Sequence, residues 1–539
     1  MVPWRKLAIR YLFVVAALVF PGVGNVRAQV SVVTANYDNA RTNANLNEQV
    51  LNPSNVNTGQ FGLLFSLTVD GEIYAQPLYV SGLVMPGGGV VNVVYTATMH
   101  NSVYAFDADA GSLIWQVNLG ASVPSSYYGS KFGVSDITPE VGILSTPVID
   151  PVAQVIYVVA NTYENGEYLY RLHALDLATG IEEMNGPAVI QASVEGGGVD
   201  SVGGSVAFNP SEQLQRPGLL LSGGVIYVAF ASHGDEDPFH GWIIAYDSSD
   251  LSQQIGAFNT TPNGAEGGIW QCGRGLATDD SGNIFTVVGN GDFDGSENFG
   301  ESFLRLATAS GLAVADSFTP DNWQGLDEGD QDLGTAGPVL VPNTNLILGG
   351  SKGGELYVLD STNMGGIQDG NTQAIQIFQA LGGFLFNMAL WATASGATVY
   401  VQGESDGVKA YCLSGGTFDT TPCSSNPTVA ATAKGGIALS ANGSMPGTAI
   451  LWTTTTSAVN APLAPGTLHA FDASNVSNEL WNSNLTGGPD VLSSFAKFAN
   501  PTIANGKVYV PTFSNQLVVY GLRGPSIESS RLVKRVPSR

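Results

Sequence analysis

A chain of 539 residues exceeds one simple hydrophobic core, so it holds either several domains or a repeat array that extends one core. Hydrophobic residues at 44% exclude wholesale disorder. The 67 glycines and a charged fraction of only 12% point to many short strands joined by tight turns. A formal charge of −25 makes nucleic acid and anionic membrane surfaces poor partners, so neither is expected.

Residues 1–28 read as a targeting segment. Arg5, Lys6 and Arg10 form a basic start, residues 11–20 a short apolar run, and Val26-Arg27-Ala28 a small-residue cleavage site. The run falls well short of the ~20 residues needed to cross a bilayer, and no later run is long enough. The expectation is an exported protein, periplasmic or extracellular, with no membrane span once this segment is removed. Residues 29–60 read as an extended N-terminal segment, and 61–69 as a strand with no partner nearby in sequence.

A repeat follows. An alternating apolar strand, a small polar turn and a second strand end on an aromatic or aliphatic residue and Asp. Clear copies lie at 103–107 (VYAFD), 172–176 (LHALD), 243–247 (IIAYD), 356–360 (LYVLD) and 468–472 (LHAFD). Weaker copies end at 306–307, 411–412 and 520–521, making eight. Their spacing of about 50–70 residues suits four strands plus loops. Alternation within each copy predicts a half-buried strand, and the closing Asp predicts a side chain bonded to the backbone of the next turn. The first unit reads as strands at 77–80, 91–98, 102–107 and 113–119. The eighth lacks a fourth strand before the polar tail at 524–539, which reads as disordered, so 61–69 is expected to complete it. The prediction is an all-β, single eight-bladed propeller of four-stranded antiparallel blades over 61–523, closed by an N-terminal strand that leaves no open sheet edge.

In such blades the loops between second and third strands share a face with the blade-to-blade connections. The long segments at 120–143, 191–217, 231–241, 289–301 and 318–336 are of these two kinds. One elaborated face is expected, with any site near its centre. On it, the 232–240 segment offers His233 and His240 with three carboxylates as transition-metal donors, or as a plain hydrogen-bonded loop. Residues 290–301 place Asn290, Asp292, Asp294 and Glu301 around Gly295, which imitates a calcium loop or makes an acidic hairpin. The acidic run at 321–332 reads as a solvated face. Basic residues are scarce. Lys131, Arg274, Lys352, Lys434 and Lys497 all fall on this face, as a ring for a small anionic ligand or as partners of the many carboxylates. Trp270, Trp323, Trp391 and Trp452 are available as an aromatic floor or as blade packing. Cys412 and Cys423 flank a hairpin that admits a local bridge, which leaves Cys272 as a buried thiol. The chain has no Cys-x-x-Cys-His for covalent haem and no serine-nucleophile, zinc-protease or phosphate-loop motif.

The segment 103–120 (VYAFDADAGSLIWQVNLG), with its aromatic-Asp, Gly turn and following Trp, resembles the repeat of the pyrroloquinoline-quinone (PQQ) propellers. Segments 146–160 and 172–180 are similar to the next unit. Nearly the whole chain resembles this quinoprotein alcohol dehydrogenase-like family, which implies an eight-bladed propeller. Enzymes of the family typically carry a vicinal Cys–Cys disulfide beside the quinone, whereas no two cysteines here are adjacent. The resemblance therefore implies first a non-catalytic scaffold for a protein, glycan or small anionic ligand. The alternative is a PQQ- and calcium-dependent dehydrogenase of an alcohol or sugar. There Lys352 and Arg274 would contact the quinone, and Asn290, Asp292, Asp294, Glu301, His233 and His240 would supply metal ligands.

Overall fold

The computed structural model describes residues 30–524, apart from 133–136, 310, 395, 405, 428–433, 458–462 and the side chains of 129–132. The expected targeting segment, and the tail beyond 524, lie outside these residues. Among the described residues no helix is long and apolar enough to cross a membrane.

Eight antiparallel sheets follow one another along the chain. Blade 1 consists of Leu78–Val84, Val90–Ala97, Ser102–Asp107 and Leu113–Asn118, close to the expected bounds. The innermost strands of blades 2 to 8 are Val148–Asp150, Leu220–Ser222, Ala277–Thr278, Val339–Leu340, Leu385–Thr393, Ile437–Ser440 and Thr502–Ala504. Blade 8 takes its outer strand from the N-terminal side. Phe61–Thr68 pairs antiparallel with Gln516–Leu522, from Phe61 opposite Leu522 to Thr68 opposite Gln516. The ring closes as the orphan strand required.

The repeated third strands differ from expectation in one respect. Ser102–Asp107 and Trp242–Asp247 are buried at every position but the last, not at alternate positions. Each blade packs on a neighbour through both of its faces, so both sets of side chains enter a core. Between blades 2 and 3, Val159, Tyr170, Phe230 and Trp242 share one such cluster. The closing aspartates serve their turns. Asp107 Oδ1 accepts from the N–H groups of Asp109 and Ala110, and Asp176 Oδ1 from those of Ala178 and Thr179.

The extended N-terminal segment runs around the inside of the ring and meets every blade in order. Val32 exchanges backbone hydrogen bonds with Tyr79 of blade 1, and Ile149 of blade 2 donates to Val33. Asn39 donates from its side chain to Leu221 of blade 3 and accepts at its carbonyl from Thr278 of blade 4. Leu340 of blade 5 donates to Ala40, Leu390 of blade 6 to Thr42, and Leu439 of blade 7 to Asn43. Asn45 ends the circuit on the carbonyl of Ile503 in blade 8. Polar residues dominate this strap because the inner strands face the axis with backbone groups that have no further strand to bond. Unpaired, those groups would cost free energy. Arg41 is fully buried and donates to the carbonyls of Leu276 and Ala35, each at 2.7 Å, and to Thr34 Oγ1 at 2.8 Å.

Candidate functional site

The long loops gather on one face, as their class predicted, and enclose a cavity of about 220 Å³ on the axis. Almost every connection contributes to it. Tyr128 comes from the link between blades 1 and 2, Arg216 from the next, Trp270 and Cys272 from that between 3 and 4, and Asp332 from that between 4 and 5. Phe384, Lys434, and Lys497 with Phe498 follow from the remaining links, and Phe386 from the start of the innermost strand of blade 6. The hairpins of blades 3 and 5 add His233 to Asp235, and Lys352.

Four cations therefore surround aromatic walls. The Arg216 guanidinium lies 4.3 Å from the Phe498 ring centre, and the Lys434 ammonium 5.5 Å from that of Phe386. Phe386 and Phe498 meet edge to face at 5.4 Å. His233 stacks on Tyr128 at 3.7 Å with the rings 18° apart. Lys352 is held by Asp330 and by Asp332 at 2.5 Å. Burial alone would lower its pKa, but the two carboxylates drive it well above the ordinary lysine value. Asp235 lines the cavity while the residue keeps solvent exposure. Desolvation of its carboxyl, with the charge of Asp332, pushes its pKa up to about 7. Nearby Glu266 is also raised to about 7, by burial and by Asp237, Asp327, Asp235 and Asp292. Burial raises the Cys272 thiol to about 11, so it stays protonated and unreactive at neutral pH.

Beneath the cavity lies a polar layer built on the strap. Arg274, two residues beyond Cys272, is fully buried and donates to the Arg41 carbonyl, to Asn387 Oδ1 and to the Met388 carbonyl. Asn387 in turn donates to Asn500 at 2.7 Å. Gly275 is glycine for a visible reason, since a Cβ there would stand 2.5 Å from the Arg41 guanidinium.

Lys352, Lys434 and Lys497 of the expected ring do converge on the cavity. Arg274 does not, because it points down into the framework, and Arg216 lines the wall instead. The Lys131 side chain lies outside the described residues. Of the four tryptophans only Trp270 reaches the cavity. Trp323 packs on Phe293, and Trp452 is buried against Phe61. The 321–332 run is no solvated face throughout, for Asp332 is only 4% exposed.

The expected metal donors do not gather as one set, although Asn290 and Glu301 touch. Among the described residues no three His, Cys, Asp or Glu side chains are placed to hold an ion. Asp294 Oδ1 accepts the N–H groups of Ser296, Glu297 and Asn298, which pull its carboxyl down to about 2 although burial opposes them. Asp292 caps Ala265 N at 3.0 Å. Glu301 is buried and accepts from Leu333 N at 2.7 Å and from the Asn290 amide. His240 turns away from His233 and bonds Asp200 and Thr261, each at 2.9 Å. His173 and His469 pair with Glu182 and Glu479 on the blades.

No protein-family model matches the sequence, and no curated protein matches it. Among solved structures the chain is similar to quinohemoprotein alcohol dehydrogenase ADHIIG of Pseudomonas putida HK5. The TM-score is 0.60 at 13% identity, over 94% of this chain and 82% of that one. It is also similar to quinohemoprotein alcohol dehydrogenase of Comamonas testosteroni, with a TM-score of 0.57 at 14% identity over 94% and 83% of the two chains. The chain shares an eight-bladed propeller fold with these structures. Identity at this level speaks for the fold, and the cavity must speak for the chemistry.

In this propeller the charge of the cavity depends on pH. Below pH 7 the raised carboxyls of Asp235 and Glu266 are protonated and neutral; above it they are anions facing Asp332, Asp330 and Asp327. Affinity of the cavity for a small polyanion is expected to fall by about tenfold between pH 6 and pH 8. Calorimetric titration at the two pH values checks this, and Asp235→Asn should flatten the dependence.

Proposed function

We propose that the axial cavity binds a flat, polyanionic quinone of the PQQ class and that the protein is an exported dehydrogenase of an alcohol or sugar. The observation that carries this reading is the convergence of Arg216, Lys352, Lys434 and Lys497 on a cavity walled by Trp270, Phe386 and Phe498. A tricarboxylate needs cations, and a flat ring system needs aromatic faces. A non-catalytic scaffold requires no such enclosed charge. Export agrees with the basic-apolar start of the sequence and with the bridge between Cys412 and Cys423, which an oxidising compartment favours.

The residues fit the quinone but not a calcium ion in the 290–301 loop, whose carboxylates are spent on backbone N–H groups. Arg216, Lys434 and Lys497 would hold the carboxylates, and Lys352, kept cationic by Asp330 and Asp332, would sit beside them. When bound, the quinone supplies the acceptor for the hydride of the alcohol carbon. Asp235, poised at about 7, takes the hydroxyl proton, since a base works best with a pKa near the operating pH. The walls exclude water, and Cys272 presents an inert thiol.

PQQ-loaded protein should reduce a dye acceptor in the presence of a primary alcohol or sugar, and Asp235→Asn should lower kcat by about 100-fold or more while PQQ still binds. Absence of dye reduction across a broad alcohol and sugar screen, with PQQ bound, would sink the dehydrogenase reading.

A further inference from the structure

On the face opposite the axial cavity, a groove of about 550 Å³ runs between blades 6 and 7. Its lining is unlike that of the axial cavity. Trp391 contributes an indole, and Thr393, Thr398, Ser424, Ser444 and Ser474 contribute hydroxyls. Among the described residues no charged side chain lines it, although the chain carries 45 carboxylates.

The walls are fixed before any ligand arrives. The Trp391 indole N–H donates to the Gly443 carbonyl across the seam at 3.1 Å, which sets the ring's orientation. Tyr400 Oη donates to the Ala473 carbonyl at 2.7 Å, and Val476 N donates to Ser424 Oγ at 3.1 Å, so both blades are stitched together. The Cys412–Cys423 disulfide, itself in the lining, ties the outer strands of blade 6. Ser424 keeps its O–H to give. Ser474, which donates to Asp472, keeps lone pairs to accept.

We propose that this groove binds a neutral carbohydrate chain. An anionic ligand would find no cation in the described lining, the Asp472 carboxylate beside Ser474 is engaged by its own turn, and a purely apolar ligand would bury hydroxyls unpaired. A neutral polyol meets both demands, with its C–H faces against the indole and its hydroxyls against the serines and threonines. A prearranged wall lowers the ordering cost of binding. The site is separate from the axial cavity and stands whether or not a quinone binds there.

The test is calorimetric titration of the full chain with maltohexaose, cellohexaose and xylohexaose, with hexagalacturonate as the charged comparator. At least one neutral hexasaccharide should saturate at millimolar concentrations or below, with hexagalacturonate weaker. Trp391→Ala should weaken binding by roughly tenfold. Ser444 is exposed at the lip, so Ser444→Arg should do the same with an unchanged melting temperature, which guards against a folding failure of the tryptophan variant. The proposal is overturned if no neutral hexasaccharide saturates, if both variants bind as wild type, or if hexagalacturonate binds equally well.

Discussion

Replacing Arg41 by alanine should destabilise the protein by about 3–5 kcal/mol, the largest effect expected of any polar substitution in the strap. The side chain is wholly buried, and burial lowers its pKa to about 10, with Asp38 opposing that fall. Its donors satisfy Leu276 O in blade 4 and Ala35 O in the strap, and its own carbonyl takes a hydrogen bond from Arg274. Truncation takes the side-chain donor from the Leu276 and Ala35 carbonyls beneath the axial cavity and leaves a void where the guanidinium was. Thermal melting and limited proteolysis of residues 30–60 report the change. Arg171→Ala is the control, because its partner Glu164 is 39% exposed and such surface pairs are worth no more than about 1 kcal/mol. Equal melting temperatures for the two variants would contradict the strap's structural role.

Phe61→Ala should cost about 3–5 kcal/mol through a different mechanism, the opening of a cavity at the ring closure. Phe61 is fully buried, 5.0 Å from Trp481 in an edge-on contact and 5.4 Å from Trp452. Those tryptophans belong to blade 7, while the strand that Phe61 begins belongs to blade 8, so one side chain fastens both blades to the N-terminal side. Hydrogen exchange should accelerate first in Phe61–Thr68 and Gln516–Leu522. Phe65→Ala, in the same strand but only half-buried, should cost clearly less. The result that would count against this closure is a larger effect at Phe65 than at Phe61.

The propeller was legible because its signal is local and repeated. The apolar strand that closes on Asp and its Asp-bonded turn recur where the backbone needs them, and a single unpaired strand at 61–69 could serve only the unit short of one. The strap was not legible beyond an extended segment. Asn39, Arg41, Asn43 and Asn45 resemble a polar loop, and only the closed ring shows that they meet unpaired backbone groups. The cations of the cavity were partly legible, because lysines are rare and their loops share a face. Arg274 shares that loop class yet turns downward towards Arg41, while Arg216 sits at the end of a long connection with no pattern to mark it. The calcium-like spacing at 290–301 carries two readings for a definite reason. An Asp that caps its own turn, as Asp294 does over Ser296, Glu297 and Asn298, uses the same short acidic pattern as an ion loop.

The central claim is that the axial cations hold a flat polyanion, and a calorimetric titration of the full chain with PQQ tests it most directly. Saturable one-to-one binding is predicted, with binding lost when Lys434→Glu and Lys497→Glu are combined and the melting temperature left near that of wild type. Absence of binding by the well-folded wild type, or undiminished binding by the double variant, would contradict it.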